Sequence, residues 1–104
     1  MYEYVSVFIR DHLLSTHTDY TARIYRDYKK VYGEALHVPH KKKLPSYNSF
    51  AKRVSRLMRA GLIERTGVTE PSSVLTAMNR VYLRLTPEGR RATAPEWVTA
   101  DRGG

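Results

Sequence analysis

The stretch Leu44–Thr66, LPSYNSFAKRVSRLMRAGLIERT, combines a helix start, an apolar stripe, a helix stop and a short apolar run. Pro45 cannot continue a helix from upstream, and the Ser46 hydroxyl can accept from an orphan amide one turn in. Gly61 falls where a left-handed C-terminal cap belongs. The spacing predicts a helix from Tyr47 to about Ala60, with a strand over LIERT behind it. Advancing by about 100° per residue gathers Phe50, Val54, Leu57 and Met58 on one side. Asn48, Lys52, Ser55, Arg56 and Arg59 gather on the other, flanked by Ser49 and Arg53. No Asp or Glu occurs between Lys41 and Ile63. A merely solvated helix face mixes signs to gain ion pairs, and this one does not. Amides, hydroxyls and cations on one face are the groups that read base edges and clamp phosphates.

The same segment carries nearly all the charge excess of the chain. The protein has 104 residues and a formal net charge of +8. Residues 1–36 balance five Lys/Arg with five Asp/Glu, and residues 66–104 hold five against four. Residues 37–65 hold Lys41, Lys42, Lys43, Lys52, Arg53, Arg56, Arg59 and Arg65 against Glu64 alone. A block of this kind is an electrostatic footprint for a polyanion, nucleic acid or acidic membrane surface.

Length limits the chain to one core, expected over residues 1–95, with a partly disordered tail over 96–104 in which Trp97 docks. No apolar run approaches the roughly 20 residues of a membrane span, and the N-terminus lacks a secretory pattern, so a cytoplasmic protein without a membrane partner is expected. The absence of cysteine removes disulfides, thiolate chemistry and cysteine-ligated zinc.

Upstream, Val5, Phe8, Ile9, His12 and Leu13 recur at helical spacing and predict a first helix over about 4–14. Thr18 or Asp19 opens a second, expected to run to Tyr32 and to close at Gly33. Its buried stripe would be Tyr20, Ile24, Tyr28 and Val31, with Arg23, Arg26, Lys29 and Lys30 outward. The connector EALHVPHKKKLP reads as a loop. Downstream, Val81, Leu83 and Leu85 alternate with Tyr82, Arg84 and Thr86, predicting a second strand. The loop expected over 67–78 contains no Lys or Arg. Thr86, Pro87 and Glu88 form a helix-start signature, and Gly89 and Pro95 are expected to keep that helix short.

Three helices followed by two strands, the third helix basic outside, resemble the winged helix-turn-helix family over roughly residues 4–92. The carriers are SFAKRVSRLMRAGLIERTG and VYLRLTPEGRRA, the latter with a Leu-Thr-Pro-Glu-Gly turn. The segment 21–64 is also loosely similar to the carboxy-terminal winged-helix domain of archaeal origin-recognition initiators. The implied fold is α+β and mostly helical, with three helices plus a β-hairpin wing. The implied partner is double-stranded DNA, with the third helix in the major groove of a small transcriptional regulator. Carried over, Asn48, Ser49, Lys52 and Arg56 would read bases. Tyr47, Arg53 and Arg59 would touch phosphate or sugar, as would Arg65 and Arg80 at the wing base. Lys41, Lys42 and Lys43 would form a phosphate-contacting arm.

Two other readings stay open: a protein-interaction adaptor using Val74, Leu75 and Met78, and nonspecific nucleic-acid or RNA binding. A homodimer through the segments around Phe8 or Trp97 is open as well. His37 and His40 are close but lack a cysteine or carboxylate at ligand spacing, so no metal is expected. His12 falls on the first helix's buried stripe and reads as a satisfied core or interface residue. Tyr25, Tyr32 and Tyr47 are the tyrosines left for base stacking. The sequence shows no nucleophile with a base, no paired carboxylates and no glycine-rich phosphate loop, so neither an enzyme nor a cofactor is expected.

Overall fold

Apolar residues at helical spacing bring three helices to a common core, and a small sheet closes it. The computed structural model describes residues 5–35, 44–71 and 79–102. In chain order these form α1 (Val5–Thr16), β1 (Asp19–Tyr20), α2 (Thr21–Ala35), α3 (Tyr47–Arg59), β2 (Ile63–Pro71), β3 (Asn79–Leu85), α4 (Pro87–Arg91) and α5 (Ala94–Asp101). The strands make one antiparallel sheet in the order β1-β3-β2. This mixed, mostly helical α+β arrangement is compatible with a winged-helix-type topology.

Each helix contributes its apolar stripe to the core. Val5, Ile9 and Leu13 of α1, Ile24 and Tyr28 of α2, and Phe50, Val54 and Leu57 of α3 are buried. Leu62, Ile63, Leu83 and Leu85 meet them from the sheet side. Alternation along β3 leaves Tyr82 half-buried and Arg84 exposed, where Arg84 Nε donates to Glu64 Oε2 of the facing residue at 2.8 Å.

α3 forms as its sequence dictates. The Ser46 hydroxyl accepts from the Ser49 amide at 3.2 Å, and Gly61 follows the helix at φ +83°. His12 is a satisfied residue: its Nε2 and Asp19 Oδ2 lie 2.7 Å apart, and because a carboxylate accepts, Nε2 carries the proton. Asp19 also accepts from Arg23 Nε at 3.0 Å and from the Tyr20 amide at 2.8 Å, so one buried carboxylate joins α1, β1 and α2.

Several elements differ from the sequence expectation. Asp19 and Tyr20 do not open α2 but pair with Leu83 and Tyr82 as β1, and the Tyr20 ring packs against Tyr82 at 5.5 Å. Val31 is 50% exposed, outside the buried stripe. α2 passes through Gly33 to Ala35, since one helical glycine costs only about 1 kcal/mol and does not by itself stop a helix. β2 does not end at Thr66. The register shifts between Arg65 and Thr69 and Gly67 takes φ +92°, so a bulge absorbs extra residues and pairing resumes at Thr69 with Val81.

The largest difference lies at the C-terminus. The helix opened at Thr86 is short as expected, five residues in α4, but Pro95 also begins a further helix: it occupies the first turn of α5, where its missing N–H is not needed. Thr93 and Glu96 form a capping box: Thr93 Oγ1 accepts from the Glu96 amide at 3.3 Å and Glu96 Oε1 accepts from the Thr93 amide at 2.7 Å. The tail expected from residue 96 therefore starts inside a helix. Trp97 docks as expected, and completely: it is fully buried, with Nε1 donating to Gly89 O at 3.1 Å. Its ring belongs to the core rather than to an exposed dimer surface.

Candidate nucleic-acid interface

The buried side of α3 fixes what its other side presents. With Phe50, Val54 and Leu57 turned inward, Asn48, Lys52 and Arg59 are exposed, and Ser55 is half-buried between them. These positions follow one another by four, three and four residues, a row roughly 16 Å long on a helix rising 1.5 Å per residue. Neither Lys52 nor Arg59 forms an ion pair with a described residue.

One flank of the row is the sheet. Ser55, Met58 and Arg59 share a shallow groove with Ile63, Glu64 and Arg65 of β2. Glu64 is committed to Arg84, while Arg65 is exposed and also lacks an ion pair among the described residues. Arg59 and Arg65 thus bring two unpaired cations to one groove.

The N-terminal end of the row has an aromatic and a further cation. Tyr47 is 43% exposed, with its ring 5.5 Å from that of Tyr25. The Tyr25 hydroxyl donates to Pro45 O at 2.8 Å, and Lys29 Nζ sits 4.9 Å from the Tyr25 ring. Packing so carries Lys29 of α2 toward the start of α3. Nothing in the local sequence signals this, because the contact depends on the α2–α3 crossing. Tyr25 is consumed by these contacts and by Phe50, which removes it as a free stacking surface.

The other flank is α5, and it changes the roles of two residues. Arg53 Nη1 lies 2.8 Å from Asp101 Oδ2, and Arg56 Nη1 donates to the Asp101 carbonyl at 3.1 Å. Both arginines lie in the sequence-derived reader and clamp set, yet the fold ties each to the C-terminal end of α5. Ser49 is exposed and belongs to the cap of α3. Arg80 turns toward β1, with Nη1 3.6 Å from Glu70 and its guanidinium 4.9 Å from the Tyr20 ring. The candidate set therefore separates into an unpaired row, Asn48, Lys52, Arg59 and Arg65, and a paired set, Arg53, Arg56 and Arg80.

Lys41, Lys42 and Lys43 lie outside the described residues, as do His37, His40, Val74, Leu75 and Met78. Among the described residues no cluster of three His, Cys, Asp or Glu could hold a metal, and no helix is long and apolar enough to cross a membrane. No protein-family model matches the chain, and neither a curated protein nor a solved structure matches it. The function of this face therefore rests on its own chemistry.

Proposed function

We propose that the protein is a cytoplasmic winged-helix protein that binds double-stranded DNA through the exposed row of α3 and regulates transcription by occupying a site. The observation that carries this reading is the pairing state of the row. Lys52 and Arg59 are exposed, unpaired among the described residues and free of any acid on their own helix, and Arg65 stands unpaired beside them. Solvated surface cations gain from mixed-sign neighbours, so a row whose charges are all basic serves an external anion better than it serves the helix.

A helix about 10–12 Å across fits a major groove about 12 Å wide. Asn48 can make the paired hydrogen bonds that suit adenine, and Lys52 can donate to the acceptors of guanine. Arg59 and Arg65 on the sheet flank and Lys29 at the N-terminal end of the row then meet phosphates, with Lys41, Lys42 and Lys43 as an arm. Such a protein acts by occupancy and needs neither catalysis nor a cofactor.

The test is recovery of bound sequences from a random duplex DNA pool at near-physiological salt, with a Lys52→Ala, Arg59→Ala double variant beside the wild type. The wild type should enrich a motif, whose symmetry reports one or two copies per site. The double variant should lose the enrichment and show a salt dependence shallower by about 0.9 in log–log slope, the share of the one phosphate met by Arg59. Failure of the wild type to retain duplex even at low salt would reject the reading.

A further inference from the structure

Arg53 and Arg56 come from the basic face of α3, yet both are bound to one residue 45 or more positions away. Asp101 is the last residue of α5 and is buried, with 6% of its surface exposed. It offers Arg53 a carboxylate oxygen and Arg56 a backbone carbonyl, and that carbonyl stands at the negative end of a helix dipole. The combination of an anionic oxygen and a second acceptor held before two guanidiniums reproduces what a backbone phosphate offers. Its remaining oxygen, Oδ1, is buried without a hydrogen-bond partner. An unpaired buried carboxylate oxygen is costly, and losing Arg53 as well would leave the whole carboxylate unpaired. Exchange for another anion therefore requires the C-terminal turn of α5 to turn Asp101 out to water, which would satisfy both oxygens. Arg53 is still 39% exposed in this state, so a phosphate can approach its unused N–H groups.

We propose that the C-terminal turn of α5 is a built-in competitor for phosphate: Asp101 occupies Arg53 and Arg56, and a nucleic-acid backbone displaces it. The inference rests on the reading of α3 as a duplex-binding face and adds its regulation. In the latched state the face offers Lys52, Arg59 and Arg65. In the released state it gains one or two arginines on its α5 flank, so whatever loosens the end of α5 strengthens binding.

The experiment compares wild type, Asp101→Ala and Asp101→Asn as full-length proteins on one random-sequence DNA duplex, with affinity measured from 50 to 200 mM salt. Trp97 emission and far-UV circular dichroism check that α5 stays docked, and the isosteric asparagine variant serves if alanine perturbs the fold. Each phosphate gained should steepen the log–log slope by about 0.9, adding about 3.5-fold to the affinity lost over that salt range. Tighter binding with a steeper slope, abolished by adding Arg53→Met, is the expected result. An unchanged slope would overturn the latch, since the arginines would then not reach phosphate. A shallower slope would overturn it too, making Asp101 a residue that positions the arginines for binding. Binding by the variants at salt concentrations where the wild type, bound at low salt, has already dissociated would support the latch in its strongest form. Absence of binding by all three would reject the duplex-binding reading and the latch together, whereas wild-type binding with a failed slope test rejects the latch alone.

Discussion

Replacing Gly89 by alanine tests how the sheet is fastened to the helices. Gly89 lies in the Leu-Thr-Pro-Glu-Gly turn, and a Cβ added there would stand 2.1 Å from Leu62 O and 3.0 Å from Leu62 C. Carbon–oxygen contacts settle at about 3.3 Å or more, so the two segments must separate by roughly 1.2 Å. The obstructing atoms are backbone and have no rotamer to escape into. Leu62 O also accepts from the Thr86 amide at 3.1 Å, the Gly89 amide donates to Thr86 Oγ1 at 2.9 Å, and Gly89 O accepts from Trp97 Nε1. Separation strains all three bonds. Two lost hydrogen bonds at about 1 kcal/mol each, with an overpacking cost of about 1–3 kcal/mol, give a destabilisation of about 3–5 kcal/mol. For a domain of this size that lowers Tm by about 15 °C or more. Urea and thermal unfolding followed by circular dichroism measure it. A Gly89→Ala protein within about 1 kcal/mol of wild type would refute the argument that close backbone approach fixes glycine there.

Trp97 is the single tryptophan, and its full burial makes its emission a reporter of α5 docking. Its urea transition should coincide with that of far-UV circular dichroism; an earlier fluorescence transition would show that α5 is attached only loosely. The Tyr82 phenol should ionise above its ordinary value near 10, first because its hydroxyl donates to Glu70 Oε1 at 2.9 Å. A phenol pKa raised by folding gives a contribution present below the unfolded value and lost as pH rises through the folded one, so Glu70→Gln should shift this ionisation downward. Ring-carbon shifts of labelled tyrosine through an alkaline titration check this, and an unshifted Tyr82 in the variant would refute the hydrogen-bond assignment.

Local chemistry was the readable part of the fold. Ser46, the Phe50–Val54–Leu57 stripe and Gly61 each act through neighbours within a turn or two, and the helix they define was legible from spacing. Thr93 with Glu96 three residues on is also a local signal, a capping box around Pro95 that the sequence expectation did not use, and with Pro in the first turn it marks the start of α5. β1 was harder. Two residues carry no period, and Asp19 suits a helix cap as well as an extended pair, so only β3 alongside decides between them. The continuation of β2 past Gly67 depends on the bulge, a register event set by the partner strand.

The site divides the same way. Helical spacing shows which residues of α3 face outward, but whether an outward cation is available is a tertiary property. Lys52 and Arg59 remain unpaired among the described residues because no element supplies them with an acid, while Arg53 and Arg56, on the same helix and equally basic, meet the end of α5. Counting charge along the chain assigns all four to a polyanion, although the fold engages two of them with Asp101. Because the salt slope depends on the phosphates neutralised rather than on formal charge, the pairing of Asp101 sets how many of these cations count. On the proposed reading, the described face binds with the slope of Arg59, Arg65 and Lys29 at rest, and with that of a larger set once α5 gives up its arginines.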